Sequence, residues 1–109
     1  MKTILAVLLM SASVLSFSAK ASDSSDNLIE AAQSYLSEPN AYIQQGYFMG
    51  MVQLYGDSTE NCVPEGLRYR EVNQRVARVI AYDPKVVTMH SSYKIMEYAF
   101  NKAYPCKKL

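Results

Sequence analysis

Two cysteines, Cys62 and Cys106, constrain the fold of this chain more than any other feature of its sequence. They are the only cysteines among the 109 residues. An even number of cysteines in a short exported chain predicts one intramolecular disulfide. A bridge between them would close a loop of about 45 residues, which the chain-entropy model values at roughly 4 kcal/mol. A reactive thiol pair or a zinc site is the alternative, but zinc normally takes four ligands and His90 is the only histidine.

Export is indicated by the first 21 residues, which have the pattern of a secretory signal. Lys2 precedes the apolar run Ile4 to Met10, and Ala19-Lys20-Ala21 supplies the small residues of a cleavage site. A retained membrane anchor is the alternative, but the apolar stretch is short for a spanning helix of about 20 residues. We therefore predict that residues 1–21 are removed and that residues 22–109 form one domain.

The predicted mature chain is close to electrically neutral. The whole sequence carries 11 Lys and Arg against 10 Asp and Glu, and the leader removes Lys2 and Lys20 but no acid. Nucleic acid and anionic membranes are therefore not expected as partners. The first mature residue would be Ser22, whereas a lipid-anchored protein needs a cysteine there. These features predict an exported protein, in the periplasm or outside the cell, that is not attached to the membrane.

Apolar residues recur at helical spacing in four segments, and no segment shows β-strand alternation. Asp26 is expected to cap the first helix. Pro39 is expected to open the second, and Gly56 to end it. The last helix is expected after Pro84, over Lys85 to Ala103. The four predicted core stripes are Leu28, Ala31 or Ala32, Tyr35 and Leu36; Ile43, Tyr47, Gly50 or Met51, and Leu54; Tyr69, Val72, Val76, and Val79 or Ile80; and Val86, Met89, Tyr93, Met96, Ala99 or Phe100, and Ala103.

The pattern predicts an all-α fold, a small bundle of four to five helices with one intramolecular disulfide. Gly46 and Gly50 lie four residues apart in the second helix and leave bare backbone on one face, where another helix can pack closely. A transmembrane dimer motif is not favoured, because Gln44, Gln45 and Gln53 interrupt the apolar sequence.

Two polar regions are candidates for binding. The loop Asp57 to Gly66 is either a solvated connector or a contact surface, since binding residues concentrate on loops that a rigid scaffold holds. The third helix carries four arginines, which form either an anion-binding patch or an ordinary solvated face. Glu71 and the low net charge favour the solvated face. The arginines are Arg68, Arg70, Arg75 and Arg78.

The residues needed for catalysis are not grouped in this sequence. His90 lies beside Ser91, but adjacent helical residues point about 100° apart and do not form a catalytic pair. No phosphate-binding glycine loop and no metal-binding helix motif is present. We therefore predict no enzymatic activity, no catalytic residue, no metal and no cofactor.

The order of the motifs resembles a known family. A helix containing Gly46-Tyr47-Phe48-Met49-Gly50-Met51-Val52 precedes Cys62-Val63-Pro64. A valine-periodic helix, a helix started by proline, and the ending Ala99-Phe100-Asn101-Lys102-Ala103-Tyr104-Pro105-Cys106 follow. Over roughly Tyr42 to Cys106 this arrangement resembles the Rap/Tai type of type VI secretion immunity proteins. These are small periplasmic helical proteins that protect a bacterium from a peptidoglycan amidase delivered by its sisters.

The resemblance implies an all-helical domain with a Cys62–Cys106 disulfide. It also implies that this domain can form a homodimer. It also implies a cognate amidase effector as partner, inhibited by occlusion of its active-site cleft. We hypothesise that the tethered loop makes the contacts, through Asp57, Ser58, Glu60 and Asn61. The alternative is a small periplasmic stress chaperone or general ligand-binding module, for which four methionines would supply either an adaptable apolar surface or an ordinary core. These are Met49, Met51, Met89 and Met96.

Overall fold

The computed structural model describes residues 24–107, so the predicted leader lies outside the described residues. Within this range the chain is all-helical, as predicted, and contains no strand. A 3-10 helix, Pro84–Thr88, lies between the third and fourth α-helices. The four α-helices are α1 (Ser24–Ser37), α2 (Tyr42–Ser58), α3 (Tyr69–Tyr82) and α4 (Ser92–Ala103).

The helices pack unequally on one another. α1 lies against both α2 and α3, and α4 packs mainly on α3. Of the six pairs of α-helices, α2 and α4 approach each other least. Their separation leaves side chains of both helices facing a shared groove. No helix within residues 24–107 has the length and apolar character needed to span a membrane.

One core of buried apolar side chains joins the four helices. Phe48 of α2, at its centre, packs its ring against Tyr35 of α1 at a centroid distance of 5.2 Å. Burial of this kind is the main stabilising term in folding. The buried residues are Leu28, Ala31, Ala32, Phe48, Val52, Val72, Val76, Ala77, Ile80, Val86, Ile95, Met96, Ala99, Phe100 and Tyr104.

α3 follows its predicted stripe closely. Val72, Val76 and Ile80 are buried at three- and four-residue spacing, and Val79 is half-buried. Tyr69, the first residue of the predicted stripe, is instead exposed, because it lies in the first turn, outside the packed part of the helix. The charged residues occupy the opposite side, so α3 has only one apolar face that can pack on the core.

α2 starts and ends later than predicted. Pro39 lies in a turn and does not open the helix, which begins at Tyr42. Gly56 does not end it either, because the helix continues to Ser58. The Ser58 hydroxyl donates to the Leu54 carbonyl at 2.5 Å, which helps to satisfy the last turn. Gly56 instead lies beside the Phe100 ring, so that a Cβ atom there would stand 3.8 Å from it.

The predicted core stripe of α2 was wrong except at Met51, which is partly buried against the core. Ile43 is 90% exposed and Leu54 is 64% exposed, so this stripe faces away from the bundle. The buried residues are Phe48 and Val52, on a different side of the helix. α2 carries apolar residues around most of its circumference, and helical spacing alone does not choose between two apolar faces.

The predicted last helix is divided in two. Pro84–Thr88 forms a 3-10 helix, and α4 begins only at Ser92. Asp83 accepts a hydrogen bond from the Lys85 N–H at 2.9 Å and so caps the 3-10 helix. Ser91 accepts from the Lys94 N–H at 3.4 Å and is the N-cap of α4. Because the predicted helix contains two capping residues, two separate helices begin within it.

Two smaller corrections concern the predicted ends and stripes. Asp26 does not precede α1, because it lies in the first described turn of that helix. Tyr93, predicted for the core stripe of the last helix, is 54% exposed. Its neighbours on the stripe, Met96 and Phe100, are buried as predicted.

The predicted disulfide is present. Cys62 and Cys106 are bonded across a sequence separation of 44, with their Cα atoms 5.2 Å apart. The bond connects the loop after α2 to the segment after α4. It therefore ties together the ends of the two α-helices that pack least closely.

Candidate functional site

An apolar surface on α2 is left uncovered by the rest of the described chain. Ile43, Tyr47 and Leu54 lie one or two turns apart, and all three are exposed. Gly50 lies between them, and a Cβ atom placed on it or on Gly46 would meet nothing within 4 Å. We call this surface the outer face of α2: Ile43, Gly46, Tyr47, Gly50 and Leu54. The close approach of another helix to the two glycines, expected from the sequence, does not occur within residues 24–107.

A groove continues the outer face toward α4. It has a volume of about 400 Å³, and Tyr47 and Leu54 belong to both surfaces. We call it the α2–α4 groove. It exists because these helices approach each other least closely, while their facing side chains are long. Its lining residues are Tyr47, Met51, Leu54, Tyr55, Ser58, Ser92, Tyr93 and Met96.

An aromatic cluster forms part of the groove wall. The Tyr55 ring lies 4.8 Å from the Phe100 ring and 5.6 Å from the Tyr93 ring, in tilted arrangements typical of aromatic pairs. Burial, followed by the proximity of Tyr93 and Glu97, raises the pKa of the Tyr55 phenol. Tyr55 therefore stays neutral at physiological pH and presents a hydroxyl rather than a charge.

One polar side chain in the groove lacks a partner. Ser92 is 9% exposed, and its hydroxyl forms no hydrogen bond with the described residues. A buried hydroxyl without a partner is uncommon, since most buried polar groups are satisfied. Ser92 lines the groove, but its hydroxyl oxygen is itself shielded from solvent.

The four residues expected to contact a partner lie near one another but in different settings. Asp57 and Ser58 belong to the last turn of α2, not to the loop. The Tyr69 hydroxyl donates to the Asp57 carboxylate, which raises the pKa of Tyr69. Glu60 is exposed in the loop.

Asn61, the fourth of these residues, orders the loop. Its side-chain amide donates to the Gly56 carbonyl at 2.9 Å and to the Thr59 carbonyl at 3.1 Å. Its side-chain oxygen accepts from the Val63 N–H at 3.2 Å. Together with the neighbouring Cys62 disulfide, these bonds restrain the loop. Asn61 is therefore a structural residue of the loop as well as a candidate contact.

The arginine-bearing side of α3 is exposed, as either a solvated face or an anion-binding patch would be. Arg68, Arg70 and Arg78 lie outside the core together with Glu71. Arg75 places its guanidinium 5.6 Å from the centre of the Tyr104 ring, where a cation–π contact is favourable.

The residues considered for chemistry are dispersed. His90 is exposed between the 3-10 helix and α4, and both cysteines are in the disulfide. Within residues 24–107, no three His, Cys, Asp or Glu side chains come together as a potential metal site.

Sequence reasoning missed the groove and assigned the outer face of α2 to the core. The available signal was the distribution of apolar residues around the whole circumference of α2. A helix that is apolar on all sides is normally buried on all sides. α2 lies at the surface, and its second apolar face is exposed within the described residues.

Comparison of the chain with protein-family models, curated proteins and solved structures gave no match.

Proposed function

We propose that this chain is a periplasmic immunity protein that binds a peptidoglycan amidase effector of the type VI secretion system and inhibits it sterically. The observation that carries the proposal is the uncovered outer face of α2. Exposed apolar surfaces on small proteins commonly mark protein-binding sites. The motif order from Tyr42 to Cys106, and the leader expected before it, support the choice of partner and compartment.

The proposed interface runs from the outer face of α2 into the tethered loop. Asp57 and Ser58 follow Leu54 by one turn, so apolar and polar residues adjoin on the same end of the helix. Glu60 and Asn61 continue the surface beyond it. An amidase with a cysteine–histidine site presents a cleft, and a protein seated across its mouth excludes the substrate without any chemistry of its own.

Rigidity supports inhibition by occlusion. The loop is already ordered by Asn61 and by the disulfide at Cys62. Binding therefore costs little conformational entropy, which is a major cost when a flexible loop is immobilised at an interface. The same disulfide fits an exported protein, since such bonds persist in oxidising compartments.

A stress chaperone is the second candidate, and the exposure of Met49 beside the outer face of α2 favours it. Methionine-rich surfaces adapt to different clients. The two functions differ in what they bind: an immunity protein binds one folded enzyme near neutral pH, whereas an acid chaperone binds many unfolded clients.

The test is an inhibition assay with a secreted peptidoglycan amidase encoded beside this chain. We expect the wild-type protein to stop hydrolysis of peptidoglycan at equimolar concentration. The Ile43→Glu/Leu54→Glu double variant should bind about 100-fold more weakly, because it places two charges in the centre of an apolar interface. Val87→Glu is the matched control, since Val87 is an exposed apolar residue on the 3-10 helix, and it should inhibit like wild type.

Replacement of residues 57–61 by Gly and Ser tests the loop separately. Weaker inhibition would assign contacts to the loop, and unchanged inhibition would confine the interface to the helices. Failure of the wild-type chain to bind the amidase, together with suppression of aggregation of unrelated unfolded proteins at low pH, would refute the immunity function in favour of the chaperone.

A further inference from the structure

We propose that α3, the 3-10 helix and the end of α4 together carry a basic face that binds the surface of an anionic phospholipid bilayer. This surface lies on different helices from the proposed amidase-binding surface, so the inference does not rest on the proposed function. It departs from the expectation that anionic membranes are not partners. That expectation used only the net charge, which does not show where the charges lie.

The charges of this chain are divided between its two halves. Residues 22–67 contain seven acidic residues and no lysine or arginine, whereas residues 68–109 contain nine lysines and arginines against three acidic residues. The first half forms α1 and α2, and the second forms α3, the 3-10 helix and α4. All eight lysines and arginines among the described residues are exposed. A charge difference of this kind between two halves is typical of proteins that bind membranes or nucleic acid.

α3 forms the centre of the basic face. Arg75, Arg78 and Tyr82 are exposed and lie within about 60° of one another around the helix axis. Arg68 precedes Arg75 by seven residues, or about two turns, and therefore lies on the same side. Glu71 is the acidic residue on this side of the helix. The cations outnumber it three to one.

The segment that follows α4 passes beside α3. The Tyr104 ring packs under the Arg75 guanidinium, with 5.6 Å between the guanidinium carbon and the ring centre. This contact directs the chain that leads to the exposed Lys107 along the arginine-bearing side of α3. Lys107 is remote from these arginines in sequence, so the fold is what adds its charge to theirs.

Two further cations lie near the end of α3. The pKa of Asp83 is lowered mainly by hydrogen bonds from Tyr98 and from the Lys85 N–H, and also by the positive charges of Lys102 and Lys85. Both lysines are therefore close to the last turn of α3. Lys102 is on the α3 side of α4, whereas the charge of Glu97, on the same helix, reaches Tyr55 of α2. The basic face thus comprises Arg68, Arg75, Arg78, Lys85, Lys102 and Lys107, with Glu71 and Asp83 as its acids.

Two exposed apolar side chains favour a lipid surface over other anionic partners. Tyr82 is 74% exposed and Val87 is 68% exposed, and Lys85 lies between them in sequence. Tyrosine rings are enriched at the level of lipid headgroups, and aliphatic side chains enter the boundary of the acyl chains. Lysine and arginine beside them attract anionic headgroups. A nucleic acid or an acidic protein surface offers no apolar layer for Val87.

Flotation with lipid vesicles tests the proposal. The protein is purified from the exported fraction and confirmed by mass to lack the predicted leader, whose apolar run would itself enter lipid. We expect it to float with vesicles of phosphatidylglycerol and phosphatidylcholine and not with vesicles of phosphatidylcholine alone. Near 1 M salt the screening length falls to about 3 Å, and the protein should be released.

Two double variants with the same net charge locate the binding. Arg78→Gln/Lys102→Gln should weaken binding to the phosphatidylglycerol vesicles about 25-fold, since each basic residue at an anionic surface contributes about fivefold. Arg70→Gln/Lys94→Gln is the matched control and should weaken it by less than about threefold. Arg70 points about 80° or more away from Arg78 around α3. Lys94 lies beside Glu97 and His90, away from α3.

Tyr82→Ala/Val87→Ala tests the apolar contribution without a change of charge. We expect it to weaken binding to the same vesicles about fivefold, because both side chains leave water at the lipid surface. Unchanged affinity would overturn a lipid surface as the occupant. Binding to poly-L-glutamate in its place would assign the basic face to an acidic protein.

The remaining outcomes separate the basic face from net charge and from the proposed function. Equal losses in the two charge variants would overturn the basic face, since net charge alone would then explain the binding. Absence of flotation with phosphatidylglycerol vesicles, or equal flotation with pure phosphatidylcholine, would overturn the proposal as well. Amidase inhibition without vesicle binding refutes the membrane inference alone, and vesicle binding without amidase inhibition refutes the proposed function alone.

Discussion

α2 and α3 are helices of similar length in the same small bundle, yet their apolar residues serve different purposes. α3 buries Val72, Val76 and Ile80 on one side and exposes its charges on the other. α2 buries Phe48 and Val52 but also exposes Ile43 and Leu54. Stability of the bundle requires only one apolar face per helix. The second face of α2 is not needed for this packing, and we propose that it binds a partner.

Substitutions on the two faces of α2 should differ most in their effect on the free energy of unfolding. Phe48→Ala should lower the free energy of unfolding by about 3–5 kcal/mol, because it leaves a cavity at a fully buried site. Leu54→Ala, on the outer face, should change it by less than about 0.5 kcal/mol. Urea denaturation measures both. Equal losses would mean that the outer face contributes to the fold, and the contrast with α3 would disappear.

Removal of the disulfide should have the next largest effect. The Cys62→Ser/Cys106→Ser double variant should lose about 2–4 kcal/mol of unfolding free energy, since the bond restricts a long loop in the unfolded chain. The α2 and α4 ends should loosen more than α3, which the bond does not connect. Urea denaturation and amide hydrogen exchange of the folded variant measure the two effects. Uniform loss of protection along all helices would contradict this localised role.

A single methyl group on the outer face should act in opposite directions on stability and binding. Gly50→Ala should stabilise the isolated protein by about 0.5–1 kcal/mol, because alanine favours the helix and its Cβ meets nothing within 4 Å. The same methyl group should weaken binding of a partner that packs closely on the glycine. Thermal unfolding and the amidase titration test the two effects. A destabilising Gly50→Ala would show that this face is packed in the free protein.

The smallest expected effect concerns the end of α3 and depends on pH. Hydrogen bonds from the Tyr98 hydroxyl at 2.5 Å and from the Lys85 N–H hold the pKa of Asp83 below its ordinary value of 3.8. Because the folded pKa is the lower one, the stabilisation is present above the unfolded pKa and is lost as pH falls through the folded pKa.

Asp83→Asn should therefore lower Tm at neutral pH, and the difference from wild type should shrink in acid. Melting curves between about pH 7 and about pH 2 cover the transition. Tyr82→Ala is a suitable control, since Tyr82 is exposed and adjacent to Asp83 in sequence. A difference that persists unchanged in acid would show that the charge of Asp83 is not what stabilises this end of the helix.

The sequence predicts the all-helical class and the Cys62–Cys106 bond. It also predicts α3 well, because the charged residues of this helix leave only one face that can pack on the core. It fails for Ile43 and Leu54, since periodicity detects an apolar face without showing what covers it. It also fails at Ser91, where a capping hydroxyl starts a new helix inside an uninterrupted apolar pattern.

The candidate site was harder to anticipate than the fold. Asp57, Ser58, Glu60 and Asn61 do lie close together in sequence and structure, but Asp57, Ser58 and Asn61 already have intramolecular partners. The groove depends on the distance between two helices that are remote in sequence. Ser92 is conspicuous only once its burial and its missing partner are known.

Methyl NMR of this chain during titration with the amidase shows which face of α2 the enzyme contacts. We expect the methyl resonances of Ile43 and Leu54 to shift or broaden on binding, while those of the exposed Val87 on the 3-10 helix stay unchanged. Binding that perturbs Val87 and leaves Ile43 and Leu54 unaffected would contradict the assignment of the outer face of α2 as the binding surface.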